Sequence, residues 1–492
     1  GCVLLSCALA RSRQGNMDKD LEGAIMLAKL KDQFSDRVFN APQLGALMRR
    51  ECPDWSNEQV EALLKDADRS GSGLLRFSDL VDFVLQEAPA VVASPAFEDL
   101  AVALRESLGS EDQDLVTWER FRSADPNTRY RWRQFVGRHV VFLFDTEDQG
   151  RLFEQLSLLQ ALQGFPVPDG SDSTAHWKTY AALGRYAWGR AARITVVLPW
   201  YRPCQMERTS RWHRDGSDWT NTEPEGQWLD VPTAQTMVRL LATQGPPLPG
   251  PMPTAALDGR ALEPLWRPPV SLLFLELHEE AAVRQAAADL DVEVRSERLV
   301  PHLMVWLLRQ QTTGHHGLLN VEGTYVLFPD KGAYERYAGS AVEILRIPLA
   351  HILWINKKRT GNRTEQEQRL LFRATAGGEA EELTHLGGED QLVIVDDFTN
   401  SGSTLFGAAG LARSLVKEPK DAKSLWTSIL VPHSVMSYDE GVAQALLAKL
   451  EGLGPRCRYV TMDTVVTSAR LLREHPQVDV VPLTEFLAEV LE

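Results

Sequence analysis

At 492 residues, 44% of them apolar and 24% charged, the chain exceeds what one hydrophobic core supports, so about three domains are expected and general disorder is excluded. A formal charge of -15 excludes a broad electrostatic grip on nucleic acid or anionic lipid. Five scattered cysteines without zinc or disulfide spacing suit a reducing, cytoplasmic setting, and no apolar run reaches the roughly 18 residues of a membrane span.

Residues 1–16, GCVLLSCALA before RSRQGN, read either as a flexible terminus or as the tail of a signal or transit segment addressed to an organelle. From 17 to 92 the apolar residues recur at three- and four-residue spacing in LEGAIMLAKLKDQF, APQLGALMRRE, NEQVEALLKDA and FSDLVDFVLQEA, which predicts a small all-α module. Residues 93–112 are expected to be a linker with one amphipathic helix.

Short apolar runs then alternate with helical ones: HVVFLFD with RLFEQLSLLQAL, ITVVLPW with TAQTMVRLLAT, SLLFLEL with EEAAVRQAA. The pattern repeats in YVLFPD with GAYERYAG, then ILWINKK, QLVIVDD with LFGAAGLARSL, SLWTSILVPH with GVAQALLAKL, and RYVTMDT. Continuous apolar strands between helices predict parallel sheets covered on both faces, so the fold class is two tandem α/β domains, 113–300 and 301–492, behind the helical module. Two long stretches, RTSRWHRDGSDWTNTEPEGQW and QGPPLPGPMPTAALDGRALEPLWRPP, interrupt the first domain and read as loops.

Within the helical module, DADRSGSGLLRFSD places Asp68, Ser70 and Ser72 at the first, third and fifth places of a twelve-residue loop, Gly73 at the sharp turn, Leu74 at the backbone-carbonyl place and Asp79 at the closing one. The segment resembles the EF-hand family. The resemblance implies a calcium site of low ligand charge, paired with an ion-free half around DQFSDRVFNAPQL; a pair kept for packing or partner binding without calcium stays open beside it.

In VIVDDFTNSGSTL a buried strand ends in Asp396 and Asp397, and a helix starts just after Gly402, Ser403 and Thr404. Backbone N–H groups at a helix start, with hydroxyls around them, cradle a phosphate without any lysine. The acids beside it suit the hydroxyls of a sugar phosphate. This stretch resembles the diphosphoribose-binding motif of type I phosphoribosyltransferases. That likeness implies ribose contacts from Asp396 and Asp397, and 5-phosphate contacts from Thr399, Asn400, Ser401, Gly402, Ser403 and Thr404.

Further stretches are similar to the ribose-phosphate pyrophosphokinases (PRPP synthetases), especially their phosphate-independent, plant-like class. YVLFPDKGAYERY resembles the FPD-plus-GA signature, and HILWINKKRTGNR the catalytic loop. SLLFLELHEEAAVRQ resembles the strand that ends in an acid-x-His element, and ITVVLPWYRPCQMER a strand before a Glu-Arg pair. The resemblance spans about residues 113 to 492. It implies catalytic roles for Lys357, Arg359 and His278, and ATP contacts from Glu207, Arg208 and Phe121. It also implies magnesium held by Asp330, His278 and Glu276. The implied reaction passes diphosphate from ATP to the 1-hydroxyl of ribose 5-phosphate, in an oligomer of this chain or with other synthetase subunits. Departures are Ser123 and Ala124 in place of an acid-Gly element, Lys331 in place of a second acid, and Glu276 in place of aspartate. They leave open a non-catalytic regulatory paralogue of such a synthetase, or another ribose-phosphate-binding phosphoribosyltransferase.

Overall fold

A computed structural model describes the chain from 88 to 491, apart from 111, 132–133, 136–137, 164, 168–186, 190, 192, 206–211, 216–217, 222–231, 243–268, 279, 289, 291, 311–321, 360–365, 388–389, 417–424 and 437–438. Before 88 it describes the short strands Val38–Asn40 and Leu74–Arg76 and positions 43 and 46. The expected terminus at 1–16, the module's helices and the calcium-loop residues Asp68, Ser70, Ser72 and Asp79 lie outside the described residues.

Two sheets carry the rest. The first has five strands, all parallel, in the order Glu293–Glu297, Val270–Leu275, Arg193–Leu198, His139–Leu143, Ala90–Ala93. The second has eight: Glu381–Glu382, Gln366–Phe372, Ile352–Arg359, Thr324–Phe328, Gln391–Val395, Trp426–Leu430, Cys457–Met462 and Val478–Val481. Its last six strands are mutually parallel, while Gln366–Phe372 runs antiparallel to both of its neighbours. The unbroken apolar runs have the cause assigned to them, since every residue of Gln391–Val395 is buried by helices on both faces.

The segment expected as a linker with one helix, 93–112, carries that helix, and it packs into the first unit. Ala90–Ala93 is the buried edge strand of the first sheet, paired with Val140–Leu143. The helix Glu98–Ser107 follows it and buries Leu100, Ala101 and Leu104. These side chains share a cluster with Phe486 and Leu487 of the helix Thr484–Leu491, near the chain's other end. The flanking segment reads as a linker only while its packing partners near the chain's other end are unknown.

The division at 300 is corrected, because the helix Leu299–Arg309 runs through it. Leu299, Val300, Leu303, Met304 and Leu307 are buried among Leu273 and Leu275 of the first sheet and Val326, Phe328 and Tyr337 of the second unit. The two α/β units are thus joined by a common apolar seam. One of the two stretches read as loops contains an antiparallel hairpin, Trp212–Asp215 against Asp218–Asn221.

Truncating Leu303, which is fully buried in the seam, leaves a cavity that neither unit can close alone. Leu303→Ala is expected to cost about 2–5 kcal/mol, read as a lowered urea midpoint.

Candidate functional site

In an open α/β sheet, ligands bind outside the carboxyl ends of the strands, where strand order reverses. The first sheet has no such reversal, because its strands follow chain order from one edge to the other. The second reverses between Thr324–Phe328 and Gln391–Val395: the chain leaves the former toward Ile352–Arg359 on one side and returns to the latter on the other. Asp330 lies just past the first of these strand ends, and Asp396 and Asp397 just past the second. The topology therefore brings together three acids that are far apart in sequence.

Their environments differ. Asp330 is exposed and caps the helix Lys331–Leu345, accepting from the Ala333 N–H at 2.9 Å. Asp397 is buried, and its Oδ2 accepts from His278 Nδ1 at 2.8 Å and from the Arg336 guanidinium at 2.5 Å. Burial alone would raise Asp397, but these two partners outweigh it and hold the carboxyl below the usual range. Asp396 receives no such help. Burial, then repulsion from Asp397 and from Asp330, pushes its carboxyl well above the ordinary value. Asp396 therefore calls for a hydroxyl donor or a cation.

The segment beyond the acids is pinned by a short parallel pairing of Phe398–Thr399 with His433–Ser434. Thr399 turns its hydroxyl inward to accept from the Gly402 N–H at 3.1 Å, so it shapes the loop. Gly402 has φ 69°, and a Cβ there would lie 2.6 Å from the Phe406 ring, so only glycine fits this turn. It also serves as N-cap of the helix Ser403–Ser414 with no side-chain capping bond. Asn400, Ser403 and Thr404 are exposed around that helix start, and Ser401 Oγ lies 2.9 Å from Ser403 Oγ.

A lysine also reaches this loop: Lys449 Nζ donates to Ser401 O at 3.0 Å and to Ser403 Oγ at 3.1 Å. Lys449 belongs to the helix Glu440–Gly452, and no local pattern could have tied it to a loop 46 residues earlier. Arg336 was also missed, although it sits in the quoted GAYERY; it lies six residues past Asp330, on a helix whose facing partners were unknown.

Glu276, expected as a magnesium ligand, has other partners, and that assignment is corrected. Its backbone sits at φ 51° and its side chain is buried. Oε2 accepts from the N–H groups of Leu299 and Val300 at 2.7 and 2.9 Å, and Oε1 from the Tyr337 hydroxyl at 2.6 Å. It caps the seam helix, whose positive end favours a carboxylate.

The other expected site residues are dispersed or undescribed. Phe121 stands at the turn of the hairpin Val116–Arg120 and Pro126–Tyr130, 56% exposed and outside the acid cluster. Glu207 and Arg208 lie outside the described residues. Lys357 and Arg359 fall on the strand Ile352–Arg359, which pairs through Arg359 with Gln366 as one arm of an antiparallel hairpin, and residues 360–365 of the expected catalytic loop lie outside the described residues. The arm overhangs the Phe328–Trp354 pair in the direction of Asp330, with Lys357 three and Arg359 five residues beyond it. Among the described residues, no three His, Cys, Asp or Glu side chains gather as a metal site, and no helix is long and apolar enough to cross a membrane.

His433 closes the floor between the units. Its Nε2 lies 3.1 Å from the carbonyl of Leu275, which can only accept, and its Nδ1 lies 2.8 Å from Thr464 Oγ1. Nε2 therefore carries a proton, and burial, which pushes the ring down to about 4, keeps it neutral. Trp200 packs over it with ring centroids 4.6 Å apart.

These features place three acids and a hydroxyl-lined helix start together at the carboxyl end of a parallel α/β sheet. No family model matches the chain, and no curated protein does. Among solved structures it is similar to phosphoribosylpyrophosphate synthetase from Mycobacterium smegmatis, with a TM-score of 0.50 and 18% sequence identity, over 82% of this chain and 97% of that one. The likeness establishes the fold: parallel α/β sheets flanked by helices, arranged as in a PRPP synthetase.

His433 also generates a pH dependence. Burial pushes it down to about 4, whereas the unfolded chain takes up this proton near pH 6.5. The unfolded state therefore binds more protons between those values. The ring's contribution is complete above about pH 6.5 and drains as pH falls toward 4, by at most about 1.4 kcal/mol per pH unit. His139, lowered to about 3 by burial and Arg193, adds a slope of the same sign, while the raised acids Asp396 and Glu276 oppose it. The readout is accordingly a difference: His433→Gln should flatten the fall of the thermal midpoint with acidification relative to the unchanged chain.

Proposed function

We propose that the chain is a ribose-phosphate diphosphokinase, transferring the β,γ-diphosphoryl group of ATP to the 1-hydroxyl of ribose 5-phosphate. The new bond joins O1 of the sugar to the β-phosphorus, the bond between that phosphorus and the α-phosphate oxygen breaks, AMP leaves, and the hydroxyl proton is released. The carrying observation is the placement of Asp396, an under-compensated carboxylate one turn of loop away from a helix start lined by Ser401, Ser403, Thr404 and Lys449. The spacing between ribose hydroxyls and a 5-phosphate suits that pairing of acid and cradle. The PRPP synthetase arrangement of the fold supports the same reading.

Asp330 and Asp396 suit magnesium, since Asp396 is under-compensated and this ion is usually held by one or two carboxylates plus substrate phosphates. When bound, it would supply charge neutralisation on the diphosphate. Lys357 and Arg359, on the arm that overhangs toward Asp330, would neutralise charge on the transferring group. Such chemistry asks mainly for positioning and electrostatics. His278 stands on the face that the first unit turns toward the acids, where ATP would approach with Phe121, Glu207 and Arg208 as further contacts. Homo-oligomers, or assembly with other synthetase subunits, would complete that side.

For the N-terminal module, the antiparallel register of Phe39 with Leu75 joins the loop that begins at Asp68 to the half expected to be ion-free. That register supports an EF-hand pair, and we assign calcium modulation of turnover to it, through Asp68, Ser70, Ser72, Leu74 and Asp79.

AMP release from ATP that requires both ribose 5-phosphate and magnesium tests the reaction, and Lys357→Ala should lower it by about a hundredfold or more. Ribose 5-phosphate binding without any AMP release would instead favour the regulatory paralogue. For the module, calorimetric titration of the full chain with calcium should give heat that Asp68→Ala abolishes; no heat with the folded unchanged chain removes the calcium assignment.

A further inference from the structure

Arg336 touches both halves of the site. Its Nη1 donates to Asp397 Oδ2 at 2.5 Å and lies 3.4 Å from the Tyr337 hydroxyl, and its Nη2 donates to the backbone carbonyl of His278 at 3.2 Å. Tyr337 passes the connection on to Glu276, and Glu276 to the first two N–H groups of the seam helix. The chain of contacts thus runs from the acid segment of the second sheet, through the helix Lys331–Leu345, to the strand end that carries Glu276 and His278 in the first.

We propose that Arg336 is a positioning residue that sets the register of the two half-sites across the seam, holding the His278 segment of the first unit at a fixed distance from the sugar acids of the second. Three observations converge on this role. The guanidinium is mostly buried, with 25% of the side chain exposed, and it makes a short ion pair with a buried carboxylate. Its second arm grips a main-chain oxygen, which fixes the backbone and not merely a mobile side chain. The His278 imidazole meets the same Asp397 oxygen that Arg336 binds, so Arg336 and His278 reach one anchor from different domains. A planar fork with fixed donor directions is suited to such a task, whereas a lysine's single ammonium holds one partner at a time.

Loss of this strap would leave ribose 5-phosphate bound to the second unit but misaligned with groups supplied by the first. The inference rests on the diphosphokinase reading for its kinetic test, and it has a second readout that does not. With Arg336→Met and Arg336→Lys, we expect ribose 5-phosphate affinity by calorimetry to stay within about threefold, while kcat for AMP release falls at least about tenfold in R336M and less in R336K. Hydrogen exchange read by mass spectrometry should quicken in R336M over residues 270–278 and 393–400, with little change over the distant strand Val478–Val481.

Unchanged kcat in R336M, or a parallel collapse of kcat and affinity, overturns the positioning role. Should the unchanged chain release no AMP, the diphosphokinase reading falls by itself and the exchange pattern decides for Arg336. Faster exchange confined to the two segments then upholds the strap, and unaltered exchange, or loosening spread over the whole chain, overturns it.

Discussion

Two carboxylates placed side by side at the end of a buried strand cannot both remain charged and unpaired, and much of the arrangement around Asp396 and Asp397 follows from how that repulsion is relieved. The fold divides the labour. Asp397 is given a cation and an imidazole and turned toward the first unit, whereas Asp396 is left under-compensated and facing Asp330. A symmetric pair would compete for one ligand position. The divided pair leaves one acid committed to architecture and the other under-compensated.

That commitment reaches across the seam. Asp397 draws in Arg336, Arg336 neighbours Tyr337, Tyr337 donates to Glu276, and Glu276 caps the helix whose apolar face fills the space between the two sheets. The polar strap and the apolar seam therefore fix the same relative placement by different means. Desolvated polar contacts depend on angle and distance, while packing of Leu303 and Leu307 against both units depends mainly on volume. The neutral His433, between Leu275 and Thr464, adds a third tie on the same boundary.

Much of this frame was legible in the sequence because it depends on local periodicity. The strands HVVFL, ITVVL, SLLFL and QLVIV announce themselves as uninterrupted apolar runs, and the helices after them by their spacing. Asp330, Asp396, Asp397 and the glycine turn at 402 were legible for the same reason, since each sits just past such a run. What escaped was non-local. Ala90–Ala93 fell at the boundary between the helical module and the linker because its pairing strand, Val140–Leu143, and the helix Thr484–Leu491 lie elsewhere in the chain. Lys449 and Arg336 were invisible because nothing in a helix's own sequence says which loop it will face. Glu276 misled for a different reason: an acid two residues before a histidine suits a metal, whereas its carboxylate, on a backbone at φ 51°, caps a helix start instead.

On the proposed reading, the same non-local placement accounts for how an acidic pocket would hold a phosphate. Three carboxylates near one sugar would repel a doubly charged phosphate strongly if all three faced it in a low-dielectric cleft. Asp397 is withdrawn by its ion pairs, which leaves two. The loop from Thr399 to Gly402 then sets the helix start apart from the acids, and Lys449 arrives on the far side of that loop, so positive charge concentrates where phosphate would sit and negative charge where hydroxyls would. A sugar phosphate has that same polarity along its length. Under the sugar-phosphate reading proposed above, one short, glycine-constrained turn separates the two opposite fields, so that the acids would meet hydroxyls and be kept apart from the phosphate they would repel.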